Sequence, residues 1–142
     1  DRGNTAPDVR MQQATVNLLA DMGVQPATLQ TGLQAATAST DTTAPSSTIT
    51  APTSGASVQP GSQATITGAA TDTGGGVVGG IEVSVDGGTR WWRANGRASW
   101  TYAWTVPSTA GSVTIKSRAT DDSGNLETPG TGITVTVSPP IT

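Results

Sequence analysis

The stretch Ile81-Glu82-Val83-Ser84-Val85-Asp86-Gly87-Gly88 decides the fold. Apolar and polar residues alternate through its first five positions, so Ile81, Val83 and Val85 share one face of a strand and Glu82 and Ser84 the other. Asp86-Gly87-Gly88 then supplies residues that accept positive φ, as a tight hairpin requires. The same pattern recurs on both sides. Ala64, Ile66, Gly68 and Ala70 alternate with Thr65, Thr67 and Ala69. Val113, Ile115, Ser117 and Ala119 alternate with Thr114, Lys116 and Arg118, and Ile133, Val135 and Val137 with Thr134 and Thr136. Ser46 to Thr50 reads as a short edge strand, and Pro52, Gly55 and Pro60-Gly61 punctuate the next dozen positions.

Strands of this kind, apolar on one side and small and polar on the other, are half-buried and antiparallel. Their turn signals recur at the spacing of a two-sheet sandwich, over close to the ~100 residues typical of the immunoglobulin fold. The expected fold class is therefore all-β: an immunoglobulin-like (E-set or fibronectin III-like) β-sandwich of about seven strands over residues 46–138. Its expected core is Ile66, Ile81, Val83, Val85, Trp91, Trp100, Trp104, Val113, Ile115, Ile133 and Val135.

Asn95-Gly96 leaves two readings open. As a two-residue hairpin it would set Ala94 opposite Arg97, Trp92 opposite Ser99 and Trp91 opposite Trp100. Trp91, Trp100, Tyr102, Trp104 and Val106 would then share a face. Alternatively it marks a corner where the chain changes sheets.

Upstream the periodicity changes. Met11, Ala14, Thr15, Leu18 and Met22 form one helical stripe, with Leu19 beside it. Pro7 and Asp8 suit a first turn and Gly23 a C-terminal cap, while Pro26 to Leu33 offers a second short helical turn. A helix this short is marginal alone in water. Residues 1–34 are expected to be the helical tail of a preceding domain, or to fold back onto the sandwich. Residues 35–45 are expected to be a linker, and residues 139–142 a linker to a following domain.

Composition narrows the chemistry. The 142 residues contain neither Cys nor His, which removes disulfides, thiolate chemistry and the usual zinc and haem ligands and leaves oxygen-ligand cations such as Ca²⁺. Charged residues make up 12% of the chain, about half of what soluble domains usually carry. The net charge of −3 is spread out and Lys116 is the single lysine, so nucleic acid is not an expected partner. No apolar run approaches the ~18 residues of a membrane span. A Thr/Ser/Gly-rich, lysine-poor module of this sort is expected to be secreted or at the cell surface.

Three stretches carry a family resemblance: Ile81 to Trp91, then Trp100-Thr101-Tyr102-Ala103-Trp104, then Ile115-Lys116-Ser117-Arg118-Ala119-Thr120-Asp121-Asp122-Ser123-Gly124-Asn125. Over about Ala69 to Asn125 the chain resembles the immunoglobulin-like dimerisation domain of sulfite oxidases and related bacterial immunoglobulin-like modules. That resemblance implies a domain without chemistry, since the molybdenum cofactor of those enzymes is held by another domain through a Cys. It also implies self-association and an interior position for Trp91. Arg10 to Leu29 resembles the closing segment of an N,N-dimethylformamidase-like region of large exported bacterial proteins, which implies a preceding domain upstream.

Candidate sites are few. Trp92, next to Trp91, is expected to be at least partly exposed. With Arg93 it is the candidate for a ligand or interface, by stacking on a sugar or anchoring a partner. The bland alternatives are packing under a loop or the helix, or a cation–π pair with Arg90 or Arg93. The row Trp100, Tyr102, Trp104 is a sugar platform if it faces outward and core if it does not. Asp121, Asp122 and Asn125 cluster in one turn and are candidate Ca²⁺ ligands, to which Asp72 and Asp41 could add in space; alternatively they cap the turn. Glu82 and Glu127, the two glutamates, show no pairing suited to acid–base hydrolysis. Gly74-Gly75-Gly76 and Gly79-Gly80 lack the Lys-Ser/Thr of a phosphate loop and read as a flexible connection. No catalytic residue and no cofactor are expected. The expected role is a non-catalytic structural or interaction module of a large multidomain exported bacterial protein, its partners being neighbouring domains of the same chain. A carbohydrate-binding module and a homodimerisation domain are the alternatives.

Overall fold

A computed structural model describes residues 6–24 and 26–139. Residues 1–5 of the expected tail and 140–142 of the expected C-terminal linker lie outside the described residues. The chain divides between Thr40 and Asp41 into two units.

In the first unit, α1 (Val9–Asp21) starts where Asp8 caps it by accepting the Arg10 N–H at 2.9 Å. It ends in two capping bonds, Gly23 N–H to Ala20 O and Val24 N–H to Leu19 O. Gly23, at φ +73°, supplies the left-handed residue that this double bond needs. The expected apolar stripe is not the buried one: Met11, Leu18 and Met22 are exposed, and Val16 and Ala20 are buried. The reason is the segment downstream of the helix. The Gln13 side chain donates to Gln34 O and accepts the Gln34 N–H, and Gln12 donates to Gln30. Residues 26–34 are thereby held along the face that carries Val16. They form bends and a turn, not the second helical turn expected over Pro26 to Leu33.

The second unit is a two-layer sandwich. One sheet has the order β1 (Ser46–Ala51), β3 (Gln63–Thr71), β7 (Ser99–Thr105), β6 (Asn95–Gly96). The other has the order β2 (Ser57–Val58), β9 (Ile133–Val137), β8 (Gly111–Asp121), β4 (Val78–Ser84), β5 (Trp92–Arg93). All pairings are antiparallel except β2 with β9. This division of strands is that of the immunoglobulin fold.

The inward residues are those the alternation gives. Ile66, Ile81, Val83, Trp100, Trp104, Ile115 and Val135 are buried, and Val85, Val113 and Ile133 pack partly buried against them. Trp100 and Trp104 fill the interior that a chain without Phe must fill with something else, so the aromatic row is core and not an outward platform. Trp100 Nε1–H is buried without an acceptor.

Asn95-Gly96 is a corner, not the tip of a hairpin. Trp92 and Arg93 pair with Val83 and Glu82 in one sheet, whereas Asn95 and Gly96 pair with Thr101 and Trp100 in the other. The crossing is made at buried Ala94, whose N–H bonds to Ile81 O. This moves the tryptophans. Trp92 lies beside Val83 and so points inward, at the open edge of its sheet, and is 37% exposed. Trp91 takes the opposite, outer side and is half-buried there, a correction to its expected place in the core.

Candidate functional site

The topology collects three segments at one end of the sandwich. β1 begins opposite the end of β3 (Ser46 with Thr71), and β4 begins opposite the end of β8 (Val78 with Asp121). Asp41 precedes β1, Asp72 follows β3, and Asp121 and Asp122 close β8. Residues distant in sequence therefore meet. One carboxylate oxygen each from Asp41, Asp72 and Asp121 lies within 4.8 Å of the others.

Each carboxylate is placed by its own loop. Asp41 Oδ1 accepts the Thr43 N–H at 2.8 Å, and Asp72 Oδ1 the Gly74 N–H at 3.0 Å. Asp121 Oδ1 accepts the N–H groups of Ser123 and Asn125, and its Oδ2 accepts the Asn125 side-chain amide at 2.8 Å. Burial would raise the Asp121 carboxyl, but the Asn125 side-chain and backbone donors, with Ser123, outweigh it and hold the group below its ordinary value. Asp121 is itself buried, at 5% exposed. Asp72 Oδ2 is different: it is buried and no hydrogen-bond donor reaches it.

The loop over this cluster consists of glycines for a spatial reason. A β-carbon on Gly74 would run into the Asp41 carboxylate. One on Gly76 would come within 2.5 Å of Asp122 Oδ1 and 3.0 Å of Asp72 Oδ2. The glycine run read as a flexible connection is a close wrap around carboxylates. The roles of the three residues singled out in this turn also separate. Asn125 directs its amide N–H groups at Asp121 and at Asp41 O, so it orients the acids. Asp122 Oδ1 accepts the Val77 N–H, which anchors the start of β4. The signal that could have joined Asp41 and Asp72 to Asp121 firmly is positional: all three stand at strand ends that antiparallel pairing brings together.

The other candidates lie around β5. Arg118 stacks over Trp91 with its guanidinium carbon 4.3 Å from the ring centroid, and its Nε bonds Glu82 at 2.7 Å. Arg93 stands opposite Glu82 across the β4–β5 pair. Arg118 therefore covers the face of Trp91, and Trp92 is the more exposed of the two rings. Glu127, in the loop between β8 and β9, accepts the Ser47 N–H at 2.9 Å and the Ala119 N–H at 2.8 Å, tying β1 of one sheet to β8 of the other. Both glutamates are thus engaged in holding strands.

Comparison with known proteins agrees with this architecture. No curated protein matches the chain. Among solved structures, the fibronectin(III)-like modules of Clostridium thermocellum CbhA are similar at 26% identity with a TM-score of 0.55. The match covers 66% of this chain and 46% of that one, so the chain spans less than half the length of that structure. The bacterial Ig domain family matches residues 45–116, from the segment that enters β1 to the middle of β8. That is just over half of the chain, and with a sandwich of the matching strand order the protein belongs to the bacterial Ig domain family.

Proposed function

We propose that the chain is a non-catalytic structural or interaction module of a large multidomain exported bacterial protein, with its neighbours in the same polypeptide as its partners. The observation that carries this reading is the use made of Glu82 and Glu127. Hydrolysis by paired carboxyl groups needs two acids facing one cleft, one of them kept protonated. Here Glu82 is bound to Arg118 on an outer sheet face and Glu127 bridges two strands. Membership of the bacterial Ig domain family and likeness to the CbhA fibronectin(III)-like modules support the same role. An extracellular location fits both, and among the described residues no helix is long and apolar enough to cross a membrane. On this reading residues 1–34 are the tail of a preceding domain, as the resemblance of Arg10 to Leu29 to the N,N-dimethylformamidase-like region implies. The expected outcome for the isolated chain is cooperative unfolding of the sandwich and no turnover of polysaccharide or ester substrates. Robust turnover would overturn the proposal.

The exposure of Trp92 at a sheet edge favours a second reading, a carbohydrate-binding module, with Arg93 next to it in sequence on the other face of β5. Binding on a glycan array that disappears in Trp92→Ala would establish it, and an array without signal would remove it. Self-association through a sheet face, which the resemblance to sulfite oxidase domains implies, is decided by light scattering: a monomer at high concentration excludes it.

A further inference from the structure

We propose that the cluster at the end where the chain enters the sandwich is a Ca²⁺ site, with Asp41, Asp72 and Asp121 as its protein ligands and Asp122 beside them. This goes beyond the module reading above and stands or falls independently of it.

Two observations carry the proposal, and they are separate. The first is the convergence of three carboxylates, with ligand oxygens within 4.8 Å of one another, from three segments far apart in sequence. The second is Asp72 Oδ2, a carboxylate oxygen shut away from solvent and reached by no donor among the described residues; it borders, with Asp41 Oδ2 and Asp122 Oδ1, the place that a β-carbon on Gly76 would take. A buried polar atom without a partner destabilises the fold, and like charges nearby add to that cost. A cation removes both penalties together.

The donor set selects the metal. Every side-chain ligand is a carboxylate oxygen, and the chain has no His or Cys for a softer ion. Ca²⁺ accepts irregular oxygen shells of six to eight ligands completed by water, whereas Mg²⁺ demands a near-octahedral one. The surroundings suit an ion with charge on several sides. Asn125 locks Asp121 in place and holds Asp41 O, and Gly74 and Gly76 let the β3–β4 loop close over the acids without a β-carbon.

The ion would also have a structural consequence. Asp41 belongs to the segment through which the chain enters β1. Binding ties residues 41–45 to the ends of β3 and β8 and fixes where the sandwich begins. Extracellular Ca²⁺ modules work with dissociation constants of about 10⁻⁴–10⁻³ M, a range matched to the millimolar calcium outside cells.

The test uses the 142-residue chain stripped with EDTA. Isothermal titration with CaCl₂ should show one site with a dissociation constant near the range above. Saturating Ca²⁺ should raise the Tm of the sandwich by roughly 5 °C, and MgCl₂ should do much less. Hydrogen exchange should slow at residues 41–45, 72–77 and 121–125. Asp72→Asn and Asp41→Asn should each weaken Ca²⁺ binding at least tenfold. In EDTA both should melt no lower than the wild type, because each removes a repelling charge. No binding heat and an unchanged wild-type Tm would overturn the proposal. So would an undiminished Ca²⁺ response in both variants, which would place the ion elsewhere. Variants that lose stability equally with EDTA and with Ca²⁺ would show a turn-capping role only and would also overturn it.

Discussion

The indole of Trp100 in β7 lies across the backbone of Gly68, its cross-strand partner in β3, in the space where a β-carbon would stand. The same space is bounded on the other side by the backbone carbonyl of Thr48 in β1. The centre of the four-stranded sheet is thus built from the largest side chain and the absence of one. An aromatic ring laid over a strand glycine shields backbone that glycine would otherwise leave open.

The pair sets the first expectation. Gly68→Ala should cost about 1–3 kcal/mol by overpacking, and Trp100→Ala about 3–5 kcal/mol by the cavity it leaves. The double variant should lose less than the sum, because the second change removes one of the two clashes of the first and leaves only that with Thr48 O. Urea unfolding of the three variants measures this, and strict additivity would refute the coupling.

Glu127 sets the second. Glu127→Ala leaves the N–H groups of Ser47 and Ala119 without their acceptor. Each orphaned buried donor costs about 1–3 kcal/mol. Glu127→Gln keeps one acceptor oxygen and should lose less. Hydrogen exchange at the Ala119 amide should accelerate well before the global unfolding limit in both variants.

Acid should act through Asp86 and Asp121. The Arg90 N–H, with the Ser84 hydroxyl and Thr89 N–H, holds the Asp86 carboxyl below its ordinary value against the opposing effect of burial. Asp121 is lowered by its own donors. A carboxyl lowered on folding adds stability that is fully present above its unfolded pKa, about 4. That contribution is lost as pH falls through the lower folded value. The chain in EDTA should therefore hold its stability from neutrality down to about pH 4 as far as these two groups are concerned, then weaken. Asp86→Asn should flatten that slope and leave neutral pH less stable than the wild type; an unchanged acid slope would remove the assignment.

Arg118→Ala should have little effect on stability, under about 1 kcal/mol, since it breaks a partly exposed ion pair and a cation–π contact of similar size. It should uncover Trp91, which acrylamide quenching would register as a more accessible tryptophan. An unaltered quenching profile would mean that Trp91 is shielded by something other than the guanidinium.

Residues within a strand were readable because one repeating choice, apolar or not, fixes a face. Ile66, Ile81, Val83, Ile115 and Val135 are buried for that reason. Trp92 is exposed as expected, but Trp91 lies on the outer side and not in the core, because its face depends on a crossing at Ala94, where a strand leaves one sheet for the other. Local dipeptide chemistry at Asn95-Gly96 allows that crossing but does not distinguish it from a hairpin. In the helix, Met11, Leu18 and Met22 make the better stripe, yet Gln13 pairing with Gln34 determines which side is covered. At the acid cluster, Asp121, Asp122 and Asn125 were visible as neighbours in sequence. The weight of Asp41 and Asp72 was not, since it comes from strand ends meeting, and neither was the bracing role of Asn125. The glycines beside them looked like slack because sequence does not show what fills the place of a missing side chain.

The short outer strands have one more effect. β2, β5 and β6 form three of the four sheet borders, and each is two residues long. A foreign strand seeking a border to extend would find only a few backbone groups there before the chain turns away. The fourth border, β1, is longer but shifts register between Ile49 and Ala51, which spoils a continuous match. Borders of this kind discourage edge-to-edge fusion. Copies held close together on one polypeptide or one crowded surface can therefore stay separate while unfolding and refolding among their own kind.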